Sequence, residues 1–153
     1  MTENLSGPAT AAWARLVRAQ HTALGGVEAA LKRAGFPPLV WYDVLLELDR
    51  SPEGALRHRD IERQMLLQRY SVTRIVERME QEGLIERVPC PDDGRGAMAA
   101  ITKKGRELRR RMWPAYASAV RSHFANRFSE KELVVLADYL GRLSDAAKQT
   151  GRT

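Results

Sequence analysis

Apolar residues recur at helical spacing along most of the chain. Trp13, Leu16, Val17, Leu24, Val27 and Leu31 form a stripe that predicts a helix beginning near Thr10. Gly35 stops it, and Pro37 and Pro38 prevent its continuation. Trp41, Val44, Leu45 and Leu48 stand at i, i+3, i+4, i+7 and predict a second helix, closed by "DRSPEG". "ALRHRDIERQMLL" predicts a short third helix centred on Ile61. A fourth places Val72, Ile75, Val76 and Met79 on one face and Arg69, Tyr70, Thr73, Arg74 and Glu77 on the other, with Gly83 as its stop.

The period then changes. "LIERV" and "AMAAI" predict two short strands joined through Pro91-Asp92-Asp93-Gly94, whose residue types suit a tight turn. Thr102 is placed to cap a long helix running to about Asn126, with Pro114 inside it as a kink point. Ser129 followed by Glu132 has capping-box spacing and opens a last helix carrying Leu133, Leu136, Ala137, Leu140 and Leu143. Four helices, a hairpin and two further helices make the chain mainly α with a small β-hairpin.

Composition narrows the class. The length of 153 residues and 44% apolar content suffice for one domain with a real core. The single cysteine, Cys90, leaves no internal disulfide framework and fits a reducing cytoplasm. No signal-peptide pattern and no apolar run of spanning length is visible, so a soluble, cytoplasmic chain is expected.

Charge changes the picture more. Between Arg57 and Arg111 stand 14 Lys/Arg against 9 Asp/Glu, whereas the rest of the chain holds 11 against 10. Nearly the whole net charge of +6 is therefore concentrated in the middle, as a phosphate-binding footprint would be.

A short helix, a tight turn, an amphipathic helix and a hairpin describe a winged helix-turn-helix. A recognition helix must bury one face on its own domain and offer the other to the major groove, roughly 12 Å wide. Gln68, Arg69, Tyr70, Ser71, Thr73 and Arg74 supply donors and an aromatic ring on that offered face. Arg57 and Arg59 on the preceding helix are placed for phosphates. Arg95 at the hairpin tip suits the negative potential of an adjacent minor groove, and Asp93, two residues earlier, is close enough to orient it.

With these pieces in order, the chain resembles the MarR family of bacterial transcriptional regulators. The resemblance rests on "LLQRYSVTRIVERMEQEGLIERVPCPDDGRGAMAAITKKG", from Leu66 to Gly105: recognition helix, Gly-Leu strand start, wing with Asp-x-Arg, and Thr-x-x-Gly opening the next helix. "PPLVWYDVLLELDRSPEG" is similar to the family's second helix and following turn, and the order of elements matches from about Thr10 to Ala147. Gly94 stands where the family wing often has a second arginine, removing one phosphate contact. Glu62 and Arg59 stand where a small residue and a Ser/Thr cap are common.

The resemblance implies a homodimer whose helical region comprises residues 10–36 and 102–147, and a winged helix-turn-helix lobe over 37–101. Residues 1–9 and 148–153 read as flexible termini. It implies a double-stranded, pseudo-palindromic DNA operator and repression relieved by a small aromatic or phenolic effector, for which Trp13, His21 and Trp41 are candidate crevice residues.

No cofactor is expected, and the three histidines lack paired metal-ligand spacing. No nucleophile–base motif, Gly-rich phosphate loop or paired-carboxylate signature recommends an enzyme. A passive thiol is the reading for Cys90, whose obvious cationic neighbour is Arg87 alone. Two other classes fit the same elements: a winged-helix protein-interaction module, and a sequence-indifferent chromosome-associated DNA-binding protein.

Overall fold

A computed structural model of the chain describes residues 4–67, 71–91 and 96–150. Its helices are α1 (Gly7–Arg33), α2 (Leu39–Arg50), α3 (His58–Gln64), α4 (Val72–Gln81), α5 (Lys103–His123) and α6 (Glu130–Thr150). Three strands, β1 (Ala55–Leu56), β2 (Ile85–Pro89) and β3 (Ala97–Ile101), form an antiparallel sheet in the order β1-β3-β2. Contacts divide the chain into two compact units, Met1–Gly26 with Ser118–Thr153, and Val27–Ala117.

The second unit holds the core. Leu31, Val44, Leu45, Leu48, Ile61 and Met112 are fully buried, bringing the apolar faces of α2 and α3 together with the sheet and α5. β2 and β3 pair from Ile85 opposite Ile101 to Pro89 opposite Ala97. Pro89 lacks an N–H, and β2 is an edge strand where that loss is tolerated.

Strand β1 was not among the elements expected. The segment "ALRHRDIERQMLL" gives up Ala55 and Leu56 to the sheet, opposite Ala100 and Ala99, and the helix starts only at His58. The reason is tertiary: β3 has a free edge, and Leu56 is buried by pairing there. The Pro52–Gly54 turn aims the chain at that edge, with Glu53 and Gly54 both at positive φ.

Two helix boundaries also differ from the apolar pattern. α1 starts at Gly7 rather than near Thr10, because Ser6 caps it: its Oγ accepts from the Ala9 N–H at 3.2 Å. α5 ends at His123, and a 3-10 turn at Ala125–Arg127 follows in place of the last expected residues. Pro114 lies within α5, which continues unbroken through it.

Other local expectations hold. The N–H of Gly35 bonds to the Lys32 carbonyl and that of Phe36 to Leu31, the two bonds that close a helix C-terminus. The Ser129 N–H donates to Glu132 Oε2 at 2.8 Å, and the Glu132 N–H to Ser129 Oγ at 3.2 Å, so the capping box is formed in both directions.

The first unit is different in character. Along α6, Val134 is 71% exposed, Tyr139 56% and Leu143 59%. On α1, Trp13 is 65% exposed. Of the α6 stripe predicted from sequence, Leu133 and Leu136 are half-buried and Ala137, Leu140 and Leu143 are exposed among the described residues.

Candidate nucleic-acid interface

Helix α4 owes its orientation to four side chains. Val72, Ile75, Val76 and Met79 are buried, while Ser71, Thr73, Arg74, Glu77 and Arg78 are exposed. Because the apolar residues repeat at 3.6-residue spacing, one face is committed to the core and the opposite face projects outward. The polar side predicted from the sequence is the side that faces away from the core.

The front of α4 is suited to an anion. Ser71 occupies the N-cap with extended backbone but makes no side-chain capping bond. The first intrahelical bond of the helix runs from the Ile75 N–H to the Ser71 carbonyl. Among the described residues the amides of Val72, Thr73 and Arg74 have no backbone partner, and no acidic side chain stands in the first turn. Unsatisfied N–H groups and the positive end of the helix dipole favour a phosphate there.

Both ends of α4 are tied down. At its front, the Leu67 N–H donates to Asp43 Oδ2 at 2.9 Å, reaching back across 24 residues to α2. At its rear, Gly83 takes φ +74°, a conformation open to glycine at little cost, and the Leu84 N–H closes on the Met79 carbonyl. Thr102 Oγ1 donates to the Gly83 carbonyl at 2.7 Å and accepts from the Gly105 N–H at 3.1 Å. Lys104 Nζ donates to the Glu82 carbonyl at 2.7 Å, and Arg87 Nε pairs with Glu80 Oε2 at 2.9 Å.

These bonds fix β2 and the start of α5 to the end of α4. Gly105 completes the joint, because a Cβ there would collide with the Leu84 carbonyl oxygen. Helix and hairpin are therefore held as one piece, which groove reading by both would need.

Of the residues singled out from sequence, Ser71, Thr73 and Arg74 share the exposed front of α4. Arg57 sits half-buried at the N-cap of α3, and Arg59 is exposed in its first turn. Gln68, Arg69, Tyr70, Asp93 and Arg95 lie outside the described residues. Trp41 lines a cavity of about 460 Å³ with Glu28, Pro38, Val40, Ser71, Arg74, Ile75 and Arg78. Trp13 and His21 belong to the other unit and are exposed. Cys90 is buried.

Sequence reasoning missed Asp43, which is only 4% exposed among apolar neighbours. Burial pushes its carboxyl up from the ordinary carboxylate range, partly opposed by the bond from the Leu67 N–H and the nearby Leu66 amide. A second buried polar group, the Tyr42 hydroxyl, is likewise shifted up by burial, and its ring stacks on Tyr116 at 4.5 Å. Asp49 on α2 accepts from both Arg106 and Arg109 of α5, a paired charge cluster that joins the two helices. The only sequence signal for Asp43 was a carboxylate between the apolar positions of α2.

Among the described residues no helix is long and apolar enough to cross a membrane. A family model described as "MarR family" matches residues 34–96. Over 85 residues the chain is 33% identical to the HTH-type transcriptional regulator MhqR of Bacillus subtilis (strain 168). That match takes in 56% of this chain and 58% of MhqR, so the chain spans little more than half of that relative's length. Sco3205, a MarR family transcriptional regulator from Streptomyces coelicolor solved in complex with DNA, is similar at a TM-score of 0.85 and 25% identity, over 95% of this chain and 91% of that one. CouR from Rhodococcus jostii RHA1, solved bound to p-coumaroyl-CoA, is similar at a TM-score of 0.71 and 26% identity, over 84% and 87%.

Proposed function

We propose that the chain is a regulator of the MarR type, a sequence-specific DNA-binding transcriptional regulator and a repressor rather than an enzyme. The observation that carries this reading is the outward polar front of α4, held rigidly against a hairpin. Thr73 and Arg74 read base edges in the major groove, while Ser71 and the free amides of the first turn hold a phosphate. Gln68, Arg69 and Tyr70 are further candidate duplex contacts, Arg57 and Arg59 take flanking phosphates, and Arg95 with Asp93 is the candidate for the minor groove.

The protein acts as a homodimer on a pseudo-palindromic duplex in the cytoplasm. The exposed end of the α6 stripe supports pairing with a second copy, since Leu140 and Leu143 are large apolar groups left in solvent. Residues 10–36 and 102–147 form the pairing region and 37–101 the DNA-binding lobe. Two recognition helices would then meet successive major grooves about 34 Å apart.

A small aromatic or phenolic effector releases the operator. Trp41 beside Arg74 and Arg78 supports this, because an aromatic ring with two guanidinium groups suits an aromatic acid. CouR, similar in fold, was solved bound to p-coumaroyl-CoA. Trp13 and His21 complete the candidate set. Release requires only that the effector favour the state that does not bind DNA.

The test is a titration of duplex against the wild type and two variants, with random-sequence DNA as competitor. Arg95→Ala and Arg74→Ala should each weaken specific binding by about 1–3 kcal/mol and leave the dimer intact. Equal affinity for random and selected duplex points to a sequence-indifferent DNA binder. Binding to neither points to a protein-interaction module.

A further inference from the structure

Asp43 is out of place on the apolar face of α2. Its neighbours on the helix, Tyr42, Val44 and Leu45, are all buried, and an ionised carboxylate in such surroundings is costly unless its oxygens are bonded. Oδ2 accepts the Leu67 N–H at 2.9 Å. Oδ1 is buried with no hydrogen-bond partner among the described residues. A group that costs stability and is only half satisfied has to be explained by something besides the core.

Leu67 supplies the explanation. It lies in the connection between the end of α3 at Gln64 and the Ser71 N-cap of α4. Ser71 makes no capping bond of its own, so the cap does not fix that geometry. Asp43 does so from outside, through a charged hydrogen bond from a helix that is itself fully packed.

We infer that Asp43 is a positioning residue for DNA recognition: from inside the core it anchors the Leu67 N–H and so sets the direction in which α4 presents Ser71, Thr73 and Arg74. The inference rests on the DNA-binding function proposed above. At 4% exposure Asp43 cannot touch a duplex, so any effect on affinity passes through the turn. Losing the anchor lowers the fraction of molecules whose α4 is correctly set, and apparent affinity falls by that fraction.

The test compares the wild type with Asp43→Asn and Asp43→Leu, using a duplex recovered from a random-sequence library, together with thermal melting and amide exchange at Leu67. Asn keeps an oxygen that can accept the Leu67 N–H; Leu keeps the volume and removes the acceptor. The Leu variant should melt no lower than the wild type, exchange its Leu67 amide faster, and bind the duplex about tenfold more weakly. The Asn variant should restore affinity to within about threefold.

Wild-type affinity in the Leu variant overturns the inference, as does a loss that merely follows a fall in melting temperature. If the Leu variant does not fold, a Leu67 amide exchanging without protection in the wild type overturns it equally. A wild-type protein that binds no duplex refutes the DNA-binding reading instead, and Leu67 exchange in the variants then decides whether Asp43 anchors the turn at all.

Discussion

At the residue scale, the side chains of α4 divide into those that hold it and those that it offers. Truncating a buried one, as in Met79→Ala, removes a fully buried side chain and should destabilise the fold by about 2–5 kcal/mol, read by denaturant unfolding. Truncating the exposed Arg74 should leave stability within about 0.5 kcal/mol of the wild type while weakening the duplex complex. A helix whose outer face were merely solvated would show the same difference in stability but no loss of binding.

Asp43 makes a prediction with a sign. Burial raises its carboxyl above the ordinary 3.8, so the folded state holds the proton more tightly than the unfolded chain does. Between 3.8 and the raised value the folded protein carries more bound protons, and stability must fall as pH rises through that window. Glu47 one turn along α2 and Tyr116 on α5 are also raised, chiefly by burial and to a smaller degree by the charge of Asp43. Asp43→Asn should remove Asp43's share of the slope and raise the melting temperature at neutral pH; melting curves across the acid range measure both.

At the scale of elements, the joint at Thr102–Gly105 is the vulnerable part. Gly105→Ala forces a methyl group against the Leu84 carbonyl and should separate α5 from the base of the hairpin. Gly83→Ala strains a residue held at φ +74° and should cost about 1 kcal/mol. In both variants, duplex affinity should drop by more than the lost stability accounts for, because helix and hairpin no longer move as one piece. Unchanged affinity at reduced stability would contradict that coupling.

Much of this was legible from the pattern of residues. α2, α4 and the hairpin strands follow their apolar spacing, and the capping box at Ser129 and Glu132 is present as spaced. β1 was hidden because two residues carry no periodicity, and Ala55 and Leu56 become a strand only once β3 offers its edge. Asp43 was hidden for a related reason: its partner is a backbone amide 24 residues away, which no local pattern records. Contacts within a turn of helix are written in the sequence, whereas contacts made through the fold need the fold.

At the scale of the whole molecule, charge and the exposed apolar residues of α6 set the behaviour. With the positive surplus gathered between Arg57 and Arg111, duplex affinity should fall steeply and linearly with the logarithm of salt, with a slope that Arg57→Ala or Arg59→Ala makes shallower by about one. Sedimentation should show a dimer that Leu143→Glu dissociates, since a carboxylate is placed on the exposed apolar residues proposed to pair with a second copy. The dissociated chain should still fold and should lose most duplex affinity, because each half then binds alone.

The central claim is that paired α4 helices read sequence, and selection of bound fragments from random-sequence duplex DNA tests it most directly. The expected result is one enriched inverted repeat with half-sites about one helical turn apart, roughly 10 base pairs, depleted in parallel experiments with Arg74→Ala. A pool that emerges as random as it began, or a motif that Arg74→Ala enriches equally, contradicts it.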